Sequence, residues 1–286
     1  MPALTSVKPS VISPAGYKGD KVTIPFPKES IPERILQHLR FAIERITKPE
    51  TVQFGTVKVA VNYREWSPYM VRQLLLRTYE REERRVLNHV LSPQDRIIEI
   101  GGGIGLIALT ARRVVPEDQI VVYEANPNLI PDITNNFKRN DAAISLVNAA
   151  IVNNAHTDTE IIFFIHDNFW ASGLNANAST MQSVTVPAKP IGDAISDHAA
   201  NVLIMDIEGA ECEVLNDINL DAIELICIEL HPQYSGVTKS SELLRSLLNA
   251  GFAMDFENSW GDVVLFARPS RLKKEPALPN APAKAA

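Results

Sequence analysis

From Pro93 onward, short apolar runs rich in Ile and Val alternate with stretches of helical periodicity. The runs predict strands at 96–100, 119–123, 144–147, 161–165, 184–186, 202–205 and 225–230, and a closing hairpin at 252–256 and 263–266. Helices are predicted at 105–113, 129–139, 210–215 and 241–248. Strands that are apolar throughout are typical of burial on both faces. The alternation therefore predicts an α/β domain over 93–268, with a mostly parallel sheet, helices on both faces and a terminal antiparallel hairpin.

The residues before this domain follow a different pattern. Five prolines before residue 30 favour an extended N-terminal arm over 1–30. Residues 31–92 are interpreted as a cap, with a helix from Pro32, a strand at 57–61 and one long helix from Ser67-Pro68 to Val90. At the other end, the proline-rich stretch 269–286 is predicted to be a disordered tail.

The composition of the chain argues against several classes of function. The chain has 286 residues, of which 45% are apolar, and a formal net charge of −6. Without a Lys/Arg block, such a chain lacks the electrostatic footprint of a nucleic-acid binder or of a protein that binds anionic membranes. No apolar stretch approaches the ~18 residues of a membrane span. Cys212 and Cys227 lie in apolar surroundings without metal-ligand spacing, so we expect buried free thiols and a cytoplasmic location.

The most informative motif is the run from Glu99 to Gly105, which reads Glu-Ile-Gly-Gly-Gly-Ile-Gly between a predicted strand and a predicted helix. Glycines there, at Gly101, Gly102 and Gly103, let a ligand approach the backbone closely. A dinucleotide would place pyrophosphate at this turn, and the Glu99 carboxylate would repel it. S-adenosylmethionine carries an ammonium and a sulfonium and no phosphate, so it suits this position better.

Two further strand ends fit an adenosine-containing cofactor. Glu124 ends the second predicted strand, followed by Ala125, and its carboxylate can accept both ribose hydroxyls. NAD sites share this feature, so it does not separate the two cofactors. Asn148 follows the third strand, and its amide can both accept from and donate to an adenine ring, while the small Ala149 leaves room for it.

The acceptor side is predicted at the next two strand ends. Asp206 follows a buried strand and begins an acidic segment that also contains Glu208 and Glu211, for which a helix-dipole role is the simpler interpretation. Glu229 and His231 lie two residues apart at the end of the neighbouring strand, so they share a face and should meet Asp206. His231 or Asp206 is a candidate general base. Alternatively, Asp206, Glu229 and His231 form a divalent metal site.

Taken together, these motifs resemble the FkbM-type methyltransferases over roughly residues 76–267. The marks of the resemblance are Tyr79-Glu80-x-x-Glu83, the glycine run, Glu124-x-Asn126-Pro127 with Asn135 and Asn140, Asn148-Ala149-Ala150-Ile151, Ser172-Gly173, Asp206-Ile-Glu-Gly-Ala-Glu211 and Glu229-Leu-His-Pro232. The resemblance implies a Rossmann-like seven-stranded sheet, S-adenosylmethionine as cofactor and Glu80 near its methionine end. It also implies a hydroxyl acceptor on a sugar or natural product.

Two other functions remain open from the sequence. One is an NAD-linked dehydrogenase or epimerase, because Glu124 suits either cofactor. The other is a non-catalytic adenosine-binding module whose acceptor site is closed. The cap at 31–92 is also a possible surface for a homo-oligomer, and its helices are expected to shape the acceptor pocket.

Overall fold

The structure is a computed structural model that describes residues 31–165 and 182–272. Three features of the sequence lie outside the described residues: the predicted arm 1–30, the end of the predicted tail, and the Ser172-Gly173 motif of the family resemblance. The described helices are α1 Ile31–Thr47, α2 Pro68–Leu76, α3 Arg81–Val90, α4 Leu106–Ala111, α5 Ile130–Arg139, α6 Ile191–His198, α7 Glu211–Val214, α8 Pro232–Ser235 and α9 Val237–Asn249. The described strands are β1 Thr51–Phe54, β2 Val57–Ala60, β3 Ile97–Ile100, β4 Ile120–Glu124, β5 Ser145–Asn148, β6 Ala150–Val152, β7 Glu160–Ile165, β8 Gln182–Pro190, β9 Val202–Met205, β10 Leu225–Glu229, β11 Ala253–Met254 and β12 Val263–Ala267.

Seven strands form the main sheet, in the order β11-β12-β10-β9-β3-β4-β5. The pairs from β10 to β5 are parallel, whereas β12 runs antiparallel to β10 and to β11. This confirms the predicted mostly parallel sheet with a terminal hairpin. Since β3 lies between β9 and β4 and runs parallel to both, the carboxyl ends of these three strands meet at one edge, where open α/β sheets bind ligands.

Both faces of the sheet are buried, because successive strand residues point into two separate cores. In β3, Ile97 packs into the core formed with α2 to α5, while Ile98 packs into the core formed with α6, α7 and α9. Each side chain is fully buried. The uninterrupted apolar strands of the sequence therefore reflect helices on both faces, as predicted.

The predicted strand at 184–186 is much longer in the structure, because β8 pairs antiparallel with β7 over six residues and parallel with β6. These three strands form a second small sheet. Within β8, Val186 is the one buried residue, and polar residues and prolines surround its short apolar run, so the run in the sequence is shorter than the strand.

The segment 31–92 is built from α1, the hairpin β1–β2, α2 and α3, and it shares the first core with the sheet. The edge of β2 is held by two asparagine side chains, one in α5 and one directly after it. Asn136 Oδ1 accepts the Ala60 N–H at 2.8 Å, and Asn140 Oδ1 accepts the Lys58 N–H at 2.9 Å. These bonds satisfy a strand edge that would otherwise lack partners.

The prediction of one long helix from Ser67 to Val90 is wrong, because the chain breaks between α2 and α3. Arg77 ends α2 with a φ of +61°, and Glu80 precedes α3 with a φ of +48°. The break is fixed by arginine side chains: Arg77 donates to Glu44 of α1 at 2.7 Å, and Arg84 donates to the Arg77 and Tyr79 carbonyls. Tyr79 and Glu80 are thereby placed at the edge of the sheet where β3, β4 and β9 end.

Among the described helices, none is both long and apolar enough to cross a membrane.

Candidate functional site

A cleft of about 740 Å³, including its open mouth, lies over the carboxyl ends of β3, β4 and β9. Four acidic side chains line it, namely Glu80, Glu124, Asp206 and Glu208. Apolar side chains form much of the remaining wall. The described lining contains no lysine or arginine, so the cleft favours a ligand that carries positive charge and disfavours a phosphate.

The glycine turn after β3 forms the floor of this cleft. Gly101 has a φ of +90°, and a Cβ built there would lie 1.8 Å from the carbonyl oxygen of Asp206. Gly103 has a φ of +55°, and a Cβ there would lie 2.7 Å from the Tyr79 hydroxyl. Gly101 and Gly103 line the cleft, whereas Gly102 lies against Val122 and is needed for packing. Close backbone approach thus accounts for the glycines, and their positions leave the cleft open.

Glu124, the last residue of β4, is held by the turns on either side of it. Its Oε2 accepts the Gly103 N–H at 3.0 Å, and its Oε1 accepts the Asn126 N–H at 2.7 Å. Burial raises the pKa of Glu124 to about 7, against the lowering effect of these hydrogen bonds. Each carboxylate oxygen has two lone pairs, so Glu124 retains acceptor capacity toward the cleft that it lines.

Glu80 lines the cleft next to Gly103, and a Cβ on Gly103 would lie 3.0 Å from its Oε1. In the part of the chain that the structure describes, Glu80 Oε2 has no hydrogen-bond partner. Burial and the nearby Glu83 raise the pKa of Glu80 to about 8. Because a buried acceptor without a partner is unfavourable, a cationic ligand group beside Glu80 would stabilise it.

Besides Gly102, two predicted cofactor residues, Glu99 and Asn148, lie behind the cleft and do not line it. Glu99 is 2% exposed, and burial together with Glu80 raises its pKa well above the usual range. Asn148 donates from Nδ2 to the Glu124 carbonyl at 2.8 Å and to the Ala125 carbonyl at 3.2 Å. Its amide group therefore fixes the turn after β4, while Ala125 and the neighbouring Ala149 reach the cleft.

His231 lies at the centre of the acceptor side. Its Nδ1 donates to Glu211 Oε1 at 2.9 Å, which leaves Nε2 facing three carboxylates. The Nε2 distances are 3.3 Å to Glu208 Oε2, 3.7 Å to Asp206 Oδ1 and 3.9 Å to Glu229 Oε1. Because β9 and β10 are parallel neighbours, the structure brings Asp206, Glu229 and His231 together as the strand order predicts. His231 itself does not line the cleft, and it contacts the cleft through Asp206 and Glu208.

The charge state of His231 follows from these contacts. Burial alone would lower its pKa, but the hydrogen bond to Glu211 and the charges of Asp206 and Glu208 raise the pKa to about 9. At neutral pH the imidazole is therefore a cation that offsets part of the acidic cluster. Burial and Glu208 also raise the pKa of Asp206 well above its usual range, and a carboxylate of higher pKa is a stronger base.

Two acidic residues contribute to this cluster in ways that the sequence interpretation missed. Glu211 was assigned to the helix dipole, yet it is fully buried and holds both His231 and the Gly209 N–H. Glu83 is 6% exposed and shares a hydrogen bond with Glu229, and burial raises its pKa to about 9. The signal for Glu83 was its spacing of three from Glu80, which places both on one side of the α3 start.

The alternative metal site has the required side chains. Asp206, Glu229 and His231 each offer one ligand atom, and these atoms lie within 4.8 Å of one another. Two carboxylates and one imidazole suit several divalent metals. A metal would have to displace the proton on His231 Nε2, because an imidazole binds metal only in its neutral form.

A comparison with protein families identifies the family of this chain. The methyltransferase FkbM domain model matches residues 99–254, which is more than half of the chain. No curated protein matches in a sequence search.

One solved structure that resembles the chain is a precorrin-6y C5,15-methyltransferase from Geobacter metallireducens, with 13% sequence identity and a TM-score of 0.40. The alignment covers 73% of this chain and 91% of the precorrin methyltransferase chain. P. horikoshii TYW2 in complex with MeSAdo has 11% identity and a TM-score of 0.39, with 83% of each chain covered. The fold assignment rests on the strand order, and the family on the domain match. The match spans residues 99–254, which include the glycine turn, Glu124, Asp206 and His231, and the chain belongs to the FkbM methyltransferase family.

Proposed function

We propose that this protein transfers a methyl group from S-adenosylmethionine to a hydroxyl of a sugar or natural-product acceptor. The observation that carries the proposal is the contact of two carboxylates with one glycine turn. Glu80 lies beside Gly103, and Glu124 accepts the Gly103 N–H. An ammonium near Glu80 and ribose hydroxyls near Glu124 would satisfy both groups in one ligand.

The chemistry of the cleft residues fits this cofactor. Glu80 supplies an unpartnered carboxylate oxygen for the ammonium, and Glu124 supplies acceptors for the ribose. Ala125 and Ala149, with the apolar wall around them, leave space for a flat adenine ring. Gly101 and Gly103 form the floor. Glu99, Gly102 and Asn148 support this arrangement from behind, through burial, packing and hydrogen bonds to the turn after β4.

The charge of the cleft disfavours the dehydrogenase alternative. A dinucleotide carries two phosphates, which a helix N-terminus and basic side chains usually hold. Here the described lining offers four carboxylates and no basic side chain. Repulsion between these carboxylates and pyrophosphate would weaken NAD binding.

When bound, S-adenosylmethionine supplies a methyl group that its sulfonium has already activated. The protein's own contribution is to align the acceptor oxygen and to remove its proton. Asp206 and Glu208 line the cleft, so they are placed to hold the acceptor hydroxyl. Asp206 takes the proton, or His231 takes it once its imidazole is neutral, and Glu211 holds the imidazole so that Nε2 faces Asp206.

The deciding experiment compares ligand binding by calorimetry. We expect S-adenosylhomocysteine to bind and NAD to show no heat, because only the former lacks phosphate. A mass-spectrometric search among hydroxylated metabolites then looks for an acceptor that gains one methyl group. NAD binding in preference to S-adenosylhomocysteine would favour the dehydrogenase. Binding of S-adenosylhomocysteine without any methylated product would favour the non-catalytic module.

A further inference from the structure

The first described helix, α1, presents its apolar face away from the protein. Five aliphatic side chains are each more than half exposed, namely Ile35, Leu36, Leu39, Ile43 and Ile46, with exposures of 55%, 64%, 56%, 60% and 82%. At 100° per residue they fall within an arc of about 100°. A helix on the surface of a globular protein normally turns such a stripe toward the core, and α1 does the reverse.

The body of the protein holds α1 by its opposite side. Gln37 Nε2 donates to the Leu76 carbonyl at 2.8 Å, and Glu44 is bound by Arg77 at 2.7 Å. Phe41 packs against the core between them, with the Arg72 guanidinium 5.9 Å from its ring. These contacts fix the rotation of α1 about its axis. Its apolar face is therefore held outward by hydrogen bonds to Leu76, the last residue of α2, and to Arg77, which follows it.

The charges that border the apolar face are basic. Arg40 and Arg45 lie on either side of the arc, and both are exposed. Among the described side chains of α1, from residue 35 to residue 47, Glu44 is the one carboxylate, and it is already paired with Arg40 and Arg77. The surface around the apolar face therefore carries positive charge, although the chain as a whole has a net charge of −6.

We propose that α1 is a membrane-surface helix that lies on an anionic lipid bilayer, with its aliphatic face in the acyl boundary and Arg40 and Arg45 at the phosphate level. An apolar arc bordered on both sides by basic residues is the arrangement of helices that lie in the interface plane. Each arginine near an anionic surface adds to the attraction. The overall charge predicts no membrane association, but a net charge does not describe one outward-facing helix.

A second copy of the chain fits this face less well. Two α1 helices packed through the aliphatic arc, parallel or antiparallel, would bring Arg40 and Arg45 of one copy toward the same basic borders of the other. The described side chains of α1 offer no free carboxylate to pair with them. Like charges at such borders oppose helix pairing, whereas lipid phosphates complement them.

The test is vesicle flotation with the full chain, using phosphatidylglycerol–phosphatidylcholine vesicles and vesicles of phosphatidylcholine alone. We expect the protein to float with the anionic vesicles and to be released by high salt. The double variant Leu39→Glu/Ile43→Glu should reduce the floated fraction by at least about tenfold, because it removes aliphatic contact and adds negative charge. Arg45→Glu should weaken flotation while leaving the aliphatic face intact.

The matched control is Val237→Glu/Leu248→Glu, which introduces the same two charges at sites on α9 that are 73% and 51% exposed, and it should float like the parent. Thermal unfolding of each variant should match the parent, since the changed side chains are exposed. Three outcomes would overturn the proposal: no flotation of the parent chain, equal flotation on neutral vesicles, or flotation that survives the double variant. A parent dimer that the double variant converts to a monomer, without vesicle binding by either, would assign the face to a second copy instead.

Discussion

His231 donates its Nδ1 proton to Glu211 Oε1 across 2.9 Å, which joins the end of β10 to the first residue of α7. Glu211 is fully buried and is held in turn by the Gly209 N–H at 2.9 Å. An acceptor at Nδ1 fixes both the ring orientation and the nitrogen that faces outward. Glu211 is therefore a positioning residue for the acidic cluster around Asp206.

Replacing Glu211 with Gln should change the titration of His231. The variant keeps a hydrogen-bond acceptor but removes the charge, so we expect the pKa of His231 to fall from about 9 by roughly one unit or more. Histidine ring NMR over a pH series measures this. Glu213→Gln is the control, because Glu213 is exposed on the same helix, and it should leave the titration unchanged. An unshifted His231 in Glu211→Gln would contradict the positioning role.

The glycine turn allows steric and conformational effects to be separated. Gly101 and Gly236 have nearly equal φ values, +90° and +88°, but a Cβ meets the Asp206 carbonyl at 1.8 Å in the first case and nothing within 4 Å in the second. Gly101→Ala should destabilise the protein by about 2–5 kcal/mol, from strain and overpacking together, and Gly236→Ala by about 1–3 kcal/mol from strain alone. Denaturant unfolding measures both, and equal losses would show that the contact with Asp206 relaxes.

Loss of the Glu124 charge should weaken cofactor binding. We expect Glu124→Gln to raise the Kd for S-adenosylhomocysteine by about 5–150-fold, or ~1–3 kcal/mol, because the ribose hydroxyls lose a charged acceptor. Gln keeps one oxygen for the turn, so the fold should be retained. Calorimetry measures the affinity, with the exposed Glu160→Gln as control. An unchanged Kd would remove Glu124 from the cofactor site.

The sheet and the cleft could be predicted from the sequence because both depend on local patterns. Apolar strands buried on both faces are continuous in the sequence, and the residues that follow them necessarily meet at one edge of a parallel sheet. The sequence therefore predicts that Asp206, Glu229 and His231 lie together, as they do in the structure. Their pKa values depend on burial and also on Glu83 and Glu211, whose contacts cross between elements.

The features that were missed depend on contacts between residues far apart in the sequence. The break at Arg77 and Glu80 contains no glycine or proline, and it is held by Glu44, which lies 33 residues from Arg77. Helical periodicity runs through this break, so no local signal marks it. Similarly, the pattern of α1 predicts an amphipathic helix but not which face turns outward. The orientation depends on the hydrogen bonds of Gln37 to Leu76 and of Glu44 to Arg77, at the end of α2.

The acidic cluster should make the ligand-free protein less stable as the pH rises. Burial raises the pKa values of Glu80, Glu83 and Glu229 from 4.5 to about 8, 9 and 7. The folded state therefore binds more protons than the unfolded chain between pH 4.5 and 9, and stability falls with pH across this window. His231 acts in the same direction, since its raised pKa stabilises the fold below 6.5 and this contribution is lost through about 9.

Thermal unfolding at a series of pH values checks this expectation. The variant Glu83→Gln resembles the protonated side chain, so we expect a smaller loss of Tm between pH 6 and 9 than in the parent. Glu82→Gln, at the surface beside Arg81, should keep the parent's slope. If Tm rises over this range instead, the buried carboxyls ionise with little loss of folding free energy, and the expectation is wrong.

The last prediction concerns the proton of the acceptor hydroxyl. If His231 is the base, turnover should rise as the pH passes through about 9, where the imidazole loses its proton. His231→Gln should then lower turnover by ~10²–10⁴-fold with little effect on S-adenosylhomocysteine affinity, because the ring does not line the cleft. If Asp206 is the base, Asp206→Asn should lower turnover by a similar factor, and His231→Gln should shift the pH profile instead. Near-normal turnover in both variants would show that neither residue is the base and that the protein accelerates methyl transfer by aligning the acceptor with the cofactor.

Loss of turnover with EDTA and its recovery with Mg²⁺ would show that Asp206, Glu229 and His231 bind a metal, whose binding replaces the proton on Nε2.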